Sequence, residues 1–199
     1  MSDTAATSGD SRRTAILVLF AFVAVMWVLE VVDVALDHRL DQYGIAPREV
    51  DGLDGVVAAP FLHVGFGHLL GNTVPFVVMG VVIALEGPWR LIGVTAIVAL
   101  VSGFGTWLVA TEGTIHIGAS GIVFGYATYL IARGIFNRRP SEIAVGAAVA
   151  VVWGGALLGG LEPKRGISWE GHLFGAIGGV VAARALGRRP PRRTAALRP

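Results

Sequence analysis

The sequence predicts an all-α, polytopic membrane protein organised as a bundle of six transmembrane helices. Three observations carry this prediction: the composition, the lengths of the apolar blocks, and the side of each block on which Arg and Lys collect. Of the 199 residues, 54% are hydrophobic and only 15% are charged, whereas a soluble domain carries about a quarter charged residues. A helix crossing a hydrocarbon core of about 30 Å needs about 20 residues, and six blocks approach or reach that length.

The first block, 15–36, is apolar apart from Glu30 and Asp33 near its end. It follows Arg12 and Arg13 as a secretory signal would, but it is long for one and lacks a small-x-small cleavage site, so it reads as a retained helix. Block 68–85 contains His68 and Asn72, and block 91–110 is almost uninterrupted. Blocks 117–132, 143–161 and 172–186 complete the set. With the amino terminus inside, six crossings place 12 of the 16 Lys and Arg residues on the inner side. Arg39, Arg48, Lys164 and Arg165 fall outside. The excess of basic residues in cytoplasmic connections therefore predicts that both termini are cytoplasmic.

The chain divides into a short cytoplasmic segment (1–13), one membrane domain (14–187) and a basic cytoplasmic tail (188–199). Residues 1–10, small and polar, and the Arg- and Pro-rich tail are expected to lack regular structure. The net charge of +2 is accounted for by topology and by attraction of the tail to anionic lipid, with no call for a nucleic-acid partner. There is no cysteine, hence neither disulfide nor thiol chemistry. No internal repeat is visible, which disfavours transporter folds assembled from duplicated halves.

Polar side chains at membrane depth are costly and usually face the bundle interior, so each is a functional candidate. His68 and Asn72 are four residues apart, about 40° on a helix, and share one face. Ser120 opens the fourth span and His172 the sixth. Spans two, four and six all begin at the outer surface under the predicted topology, so three separate stretches bring these groups to one depth. Gly175 and Gly179 lie on the helical stripe of His172, and Gly121 and Gly125 form a small-xxx-small pair beside Ser120. Such stripes let helix backbones approach closely in lipid. If they pack together, Ser120 meets His172, with Phe124 one turn below Ser120 and against the imidazole.

That geometry has a chemical reading. An imidazole in hydrogen-bond reach takes the serine proton as general base and returns it to the leaving amine. The Ser120 N–H at a helix start, the Asn72 amide and His68 are available as oxyanion donors. Glu170, two residues from His172, points elsewhere on a helix, so the set is a dyad and not a triad. Taken singly, Ser120 is equally a small residue at a helix contact and His172 an interfacial histidine; their joint placement favours chemistry.

The segments "HVGFGHLLGN", "GASG" followed by Phe124, and "GHLFGAIGG" together resemble the rhomboid intramembrane serine proteases, over roughly residues 54–183. The resemblance implies a six-helix rhomboid-like bundle, Ser120 as nucleophile, His172 as general base and acid, and His68 with Asn72 as oxyanion donors. It further implies single-pass transmembrane proteins as substrates, cut near the outer end of their membrane helix, without metal or cofactor. Residues 159–168 and the fifth span would form a movable gate. Two departures stand out: the first outer connection reads "VVAAPFLH" where many members carry Trp-Arg, and Phe124 replaces a frequent Tyr.

The remaining polar residues suggest simpler roles. His38, His63 and His116 are expected as exposed or capping residues of outer loops, Glu30 and Asp33 as a solvated interfacial pair, and the five tryptophans as an interfacial belt. Two rival readings are a haem- or metal-binding membrane protein, which leaves Ser120 idle, and a non-catalytic rhomboid relative that binds transmembrane clients. The expected location is the plasma membrane of a bacterium, multi-pass, with the site opening to the outer side. Substrates with Gly, Ala or Pro near the cut are expected, because a stable helix hides its carbonyls. The sequence leaves the oligomeric state open.

Overall fold

The computed structural model describes residues 3–187. Among these residues there are seven α-helices and no strand beyond one isolated bridge. Six are long: α1 (Asp3–Ala35), α3 (Phe66–Ala84), α4 (Pro88–Val109), α5 (Ser120–Asn137), α6 (Pro140–Gly160) and α7 (Trp169–Ala185). The seventh, α2 (Gly55–Ala58), is a single turn in the long connection between α1 and α3.

The six long helices coincide with the six apolar blocks, with shifted ends. Helix α1 reaches back to Asp3, so residues 3–10 are helical where no regular structure was expected. The tail 188–199 lies outside the described residues. Helix α5 starts at Ser120 and not at residue 117, because Gly118 takes φ 117°, a value that breaks a right-handed helix and suits only glycine. Pro88 and Pro140 each occupy the first turn of their helix, where the missing N–H costs nothing.

Among the described residues four helices are long and apolar enough to cross a membrane: α1 over Gly9–Ala35, α3, α4 and α6. Helices α5 and α7 are shorter, with 18 and 17 residues. Their burial explains the weaker apolar signal, since a helix surrounded by protein need not present a lipid-facing surface. Large apolar side chains stand exposed on the outer helices, among them Leu17, Val28, Val151 and Leu158. A water-soluble surface rarely carries so much apolar area. The molecule is a multi-pass membrane protein.

The centre of the bundle is the α5–α7 contact. A Cβ at Gly175 would overlap the Gly121 carbonyl, and one at Gly179 would overlap the Gly125 carbonyl and the Thr128 hydroxyl. Only glycine permits this approach, and in lipid it is such close packing that holds helices together. Thr128 Oγ1 donates across the contact to the Ala176 carbonyl at 2.8 Å. Ser102 of α4 donates to the Gly171 carbonyl at 2.8 Å, a cross-link inside the almost uninterrupted apolar span.

Short connections join α3 to α4 and α5 to α6, and around them lies an ionic cluster. Arg133 pairs with Glu86 and, at 2.8 Å, with Glu142; Asn137 donates to Glu142 at 2.7 Å; and Arg90 reaches the Leu186 carbonyl. At the opposite end lie the first turns of α3, α5 and α7. There the isolated bridge between Ile45 and His116, with N···O distances of 2.9 and 3.0 Å, ties the first long connection to the one preceding α5.

Two expectations for polar residues are corrected. Glu30 and Asp33 are buried, 1% and 2% exposed, and not a solvated pair. The chain turns back over the end of α1 through Asp37 and His38, both at positive φ, and covers them. His63 is also buried, 1% exposed, because α2 and the following turn fold the connection down into the bundle. Of the tryptophans, Trp89 is exposed, whereas Trp27 and Trp107 donate hydrogen bonds to Thr73 Oγ1 and to the Glu49 carbonyl.

Candidate active site

Helices α3, α5 and α7 begin at the same end of the bundle, and their first turns line one cavity of about 1310 Å³. His68, Asn72, Ser120, Phe124 and His172 all border it. Ser120 is the first residue of α5, so its own N–H is one of the helix-start donors without an intrahelical acceptor. His172 sits in the first turn of α7 and is 9% exposed.

The close glycine contact of α5 with α7 brings Ser120 Oγ to 2.8 Å from His172 Nε2. The other ring nitrogen, Nδ1, lies 2.7 Å from the Gly160 carbonyl oxygen at the end of α6. A carbonyl can only accept, so Nδ1 carries the proton. In the neutral ring Nε2 is then the acceptor, and the Ser120 hydroxyl donates to it. The imidazole is also stacked on Phe124, with centroids 4.1 Å apart and 6° between planes. A Cβ at Gly160 would stand 2.5 Å from Phe124 Cζ and 3.0 Å from His172 Nδ1, so a side chain there would collide with the stacked pair.

The orientation of His172 by Gly160 has no counterpart in the sequence reading, because a backbone carbonyl leaves no signature in residue type. Glu170 makes no hydrogen bond to His172; it is buried, 7% exposed, one helix position from Gly171.

His68 and Asn72 face the residue that leads into Ser120. A Cβ at Gly118 would come within 2.6 Å of His68 Cε1, 2.9 Å of His68 Nε2 and 3.4 Å of Asn72 Nδ2. Asn72 is 6% exposed, and its Nδ2 has no hydrogen-bond partner among the described residues. A buried amide donor left unpaired costs about 1–3 kcal/mol, and here the donor borders the cavity beside Ser120. His63 packs edge-on against His68 at 5.1 Å and accepts a long 3.4 Å hydrogen bond from the Ala119 N–H. Burial, reinforced by the neighbouring His68, pushes the His63 imidazole down to about 4.

The rim is tied across the cavity mouth. His116 Nδ1 lies 2.7 Å from Ser168 Oγ, and its Nε2 lies 2.8 Å from Thr114 Oγ1. Burial lowers the His116 pKa from its ordinary value, partly opposed by Glu170. One wall is formed by Trp153 and Leu157 of α6. That helix packs chiefly on α5, through Gly146 and Glu142 near its start, while Val151, Val152 and Leu158 nearer its end are exposed.

A known family model covers most of the chain. The family model of the Rhomboid domain matches residues 52–189. An uncharacterized protein of Mycobacterium tuberculosis is 43% identical over 188 residues, covering 90% of this chain and 78% of that relative. An uncharacterized protein of Mycobacterium bovis matches to the same extent, and one of Mycobacterium leprae is 42% identical, covering 90% of this chain and 74% of its own length. With the domain spanning most of the chain, this protein belongs to the rhomboid family, whose members are generally intramembrane serine proteases.

Proposed function

We propose that this protein is an intramembrane serine endopeptidase that hydrolyses peptide bonds in or near the transmembrane segment of single-pass membrane proteins, using Ser120 and His172 as a dyad. The observation that carries the reading is the 2.8 Å approach of Ser120 Oγ to a His172 Nε2 whose partner nitrogen is held by the Gly160 carbonyl. This arrangement presents the tautomer a general base requires.

Ser120 Oγ attacks the substrate carbonyl carbon while its proton passes to Nε2. The oxyanion forms beside the Ser120 N–H, Asn72 Nδ2 and His68. His172 then gives the proton to the leaving amine nitrogen as the C–N bond breaks, which leaves an ester on Ser120. Water, deprotonated by the same imidazole, cleaves that ester and restores the hydroxyl. Phe124 holds the ring in plane throughout, and Gly121, Gly175 and Gly179 keep α5 and α7 at contact distance. No metal or cofactor enters these steps.

The protein spans the membrane six times, α5 and α7 included, with both termini cytoplasmic and the cavity open to the outer side of a bacterial plasma membrane. Helix α6, whose outward face is exposed at Val151, Val152 and Leu158, and residues 161–168 form the gate through which a substrate helix reaches Ser120. Substrates carry helix-weakening residues near the cut, since a stable helix keeps its carbonyls paired.

The test is cleavage of a model single-pass substrate by purified protein in detergent or liposomes. Parent protein cleaves; Ser120→Ala and His172→Ala, each folded, do not. Cleavage that persists in either variant removes the mechanism, and a folded parent that binds the substrate without cutting it establishes a client-binding role.

A further inference from the structure

A second cluster of chemistry-bearing residues lies apart from the dyad, where the chain folds back over the end of α1. Asp33, His38 and Asp41 bring one ligand atom each to within 4.8 Å of one another. Asp33 is 2% exposed; its Oδ1 accepts from the Leu40 N–H at 2.6 Å, and its Oδ2 lies 3.2 Å from His38 Nδ1. One turn earlier on the same helix face stands Glu30, 1% exposed, with neither carboxylate oxygen hydrogen-bonded among the described residues. Glu30 thus adds a second buried carboxylate beside the cluster. Asp41 Oδ1 is likewise buried without a partner among the described residues.

Two carboxylates thus converge with one imidazole, a third carboxylate lies one turn away, and among the described residues no Lys or Arg pairs with any of them. Buried carboxylates are strongly unfavourable as anions unless they take up a proton or a positive charge joins them, and a bound cation would do the latter here. A tetrahedral cation whose oxygen and nitrogen ligands lie about 2.0–2.2 Å away spaces its ligand atoms at about 3.3–3.6 Å; Asp33 Oδ2 and His38 Nδ1 already stand 3.2 Å apart, and the rest of the set closes with side-chain movements of up to about an ångström. His38, half exposed, gives an ion a path from water. Mixed imidazole and carboxylate ligation suits zinc or manganese better than calcium or magnesium, which take oxygen alone.

We propose that Asp33, His38 and Asp41, with Glu30 buried one turn away, form a structural binding site for one divalent transition-metal ion. The ion fastens the turn at residues 36–41 onto the end of α1. The site lies outside the proposed dyad and stands independently of the proteolytic reading.

Zinc chloride is the probe. Untagged full-length protein in detergent, stripped with a chelator and then titrated, is expected to retain one zinc per chain after gel filtration and to unfold at a higher temperature with zinc than without. His38→Ala and Asp41→Asn, both outside α1, each weaken zinc binding at least tenfold, whereas Glu112→Gln, at the exposed pair with Arg48, leaves it unchanged. Parent protein that retains no zinc and shows no thermal shift overturns the proposal. So does retention by a folded His38→Ala/Asp41→Asn double variant equal to that of the parent.

Discussion

His172 Nδ1 lies 2.7 Å from the carbonyl oxygen of Gly160, so the end of α6 orients the imidazole that faces Ser120. A main-chain acceptor here takes the orienting place that a carboxylate holds in a triad. The same α6 wall is part of the proposed gate, which couples the position of the gate to the orientation of the base.

The first prediction follows from that coupling. Gly160→Ala drives a methyl group into Phe124 and toward Nδ1, displacing the ring from Ser120. Steady-state cleavage should show kcat lowered at least tenfold with KM changed less than threefold. Unaltered kcat would mean that the ring does not depend on this contact.

The second concerns the unpaired amide. If Asn72 Nδ2 meets the oxyanion, Asn72→Ala removes a donor used in the transition state and lowers kcat by about 10²–10³, with the Ser120 to His172 hydrogen bond intact. An Asn72→Ala protein that keeps parental kcat would assign the amide a packing role.

The third is a pH dependence of stability. His116 in the rim has a folded pKa below its ordinary value of about 6.5 because it is buried, and the buried His63 is lowered further, to about 4. The folded state therefore binds fewer protons than the unfolded chain once pH drops below about 6.5. The stability from neutral His116 is fully present above that pH and is lost as pH falls through the folded value. Thermal unfolding scans between pH 7.5 and 5 should show a falling midpoint, and His116→Gln should flatten the upper part of the slope. A midpoint that holds constant or rises on acidification would contradict this.

The fourth tests the ionic cluster at the other end. Arg133 is shared by Glu86 and Glu142, and Glu142 is 8% exposed. Arg133→Ala leaves both carboxylates short of a partner and should cost about 3 kcal/mol, read as an earlier midpoint in denaturant unfolding of the detergent-solubilised protein. Glu142→Gln, which removes one of the charges as well, should cost less.

Which parts of this were legible in the sequence depends on what each contact is made of. The six helical blocks and the approach of Ser120 to His172 follow from apolar run lengths and from Gly121, Gly125, Gly175 and Gly179, which are side-chain properties. The Gly160 acceptor is a main-chain oxygen and is invisible at that level. Glu30 and Asp33 looked interfacial because polar sequence follows them; their burial depends on the reversal at Asp37 and His38, two non-glycine residues whose positive φ no residue type announces. Ser102 was overlooked because a single hydroxyl does not interrupt an apolar run, yet it binds α4 to α7. His63 was placed at a surface because nothing in "VVAAPFLH" signals the turn of helix that carries it inward.

The central claim is that the Ser120 hydroxyl is made nucleophilic by contact with His172. Mass analysis after incubation with a fluorophosphonate, which reacts with activated serines, tests it most directly. The account predicts one phosphonyl group per chain, located on Ser120, present in the parent and absent in a folded His172→Ala variant. Labelling of another serine, or equal labelling of Ser120 without the imidazole, would contradict it.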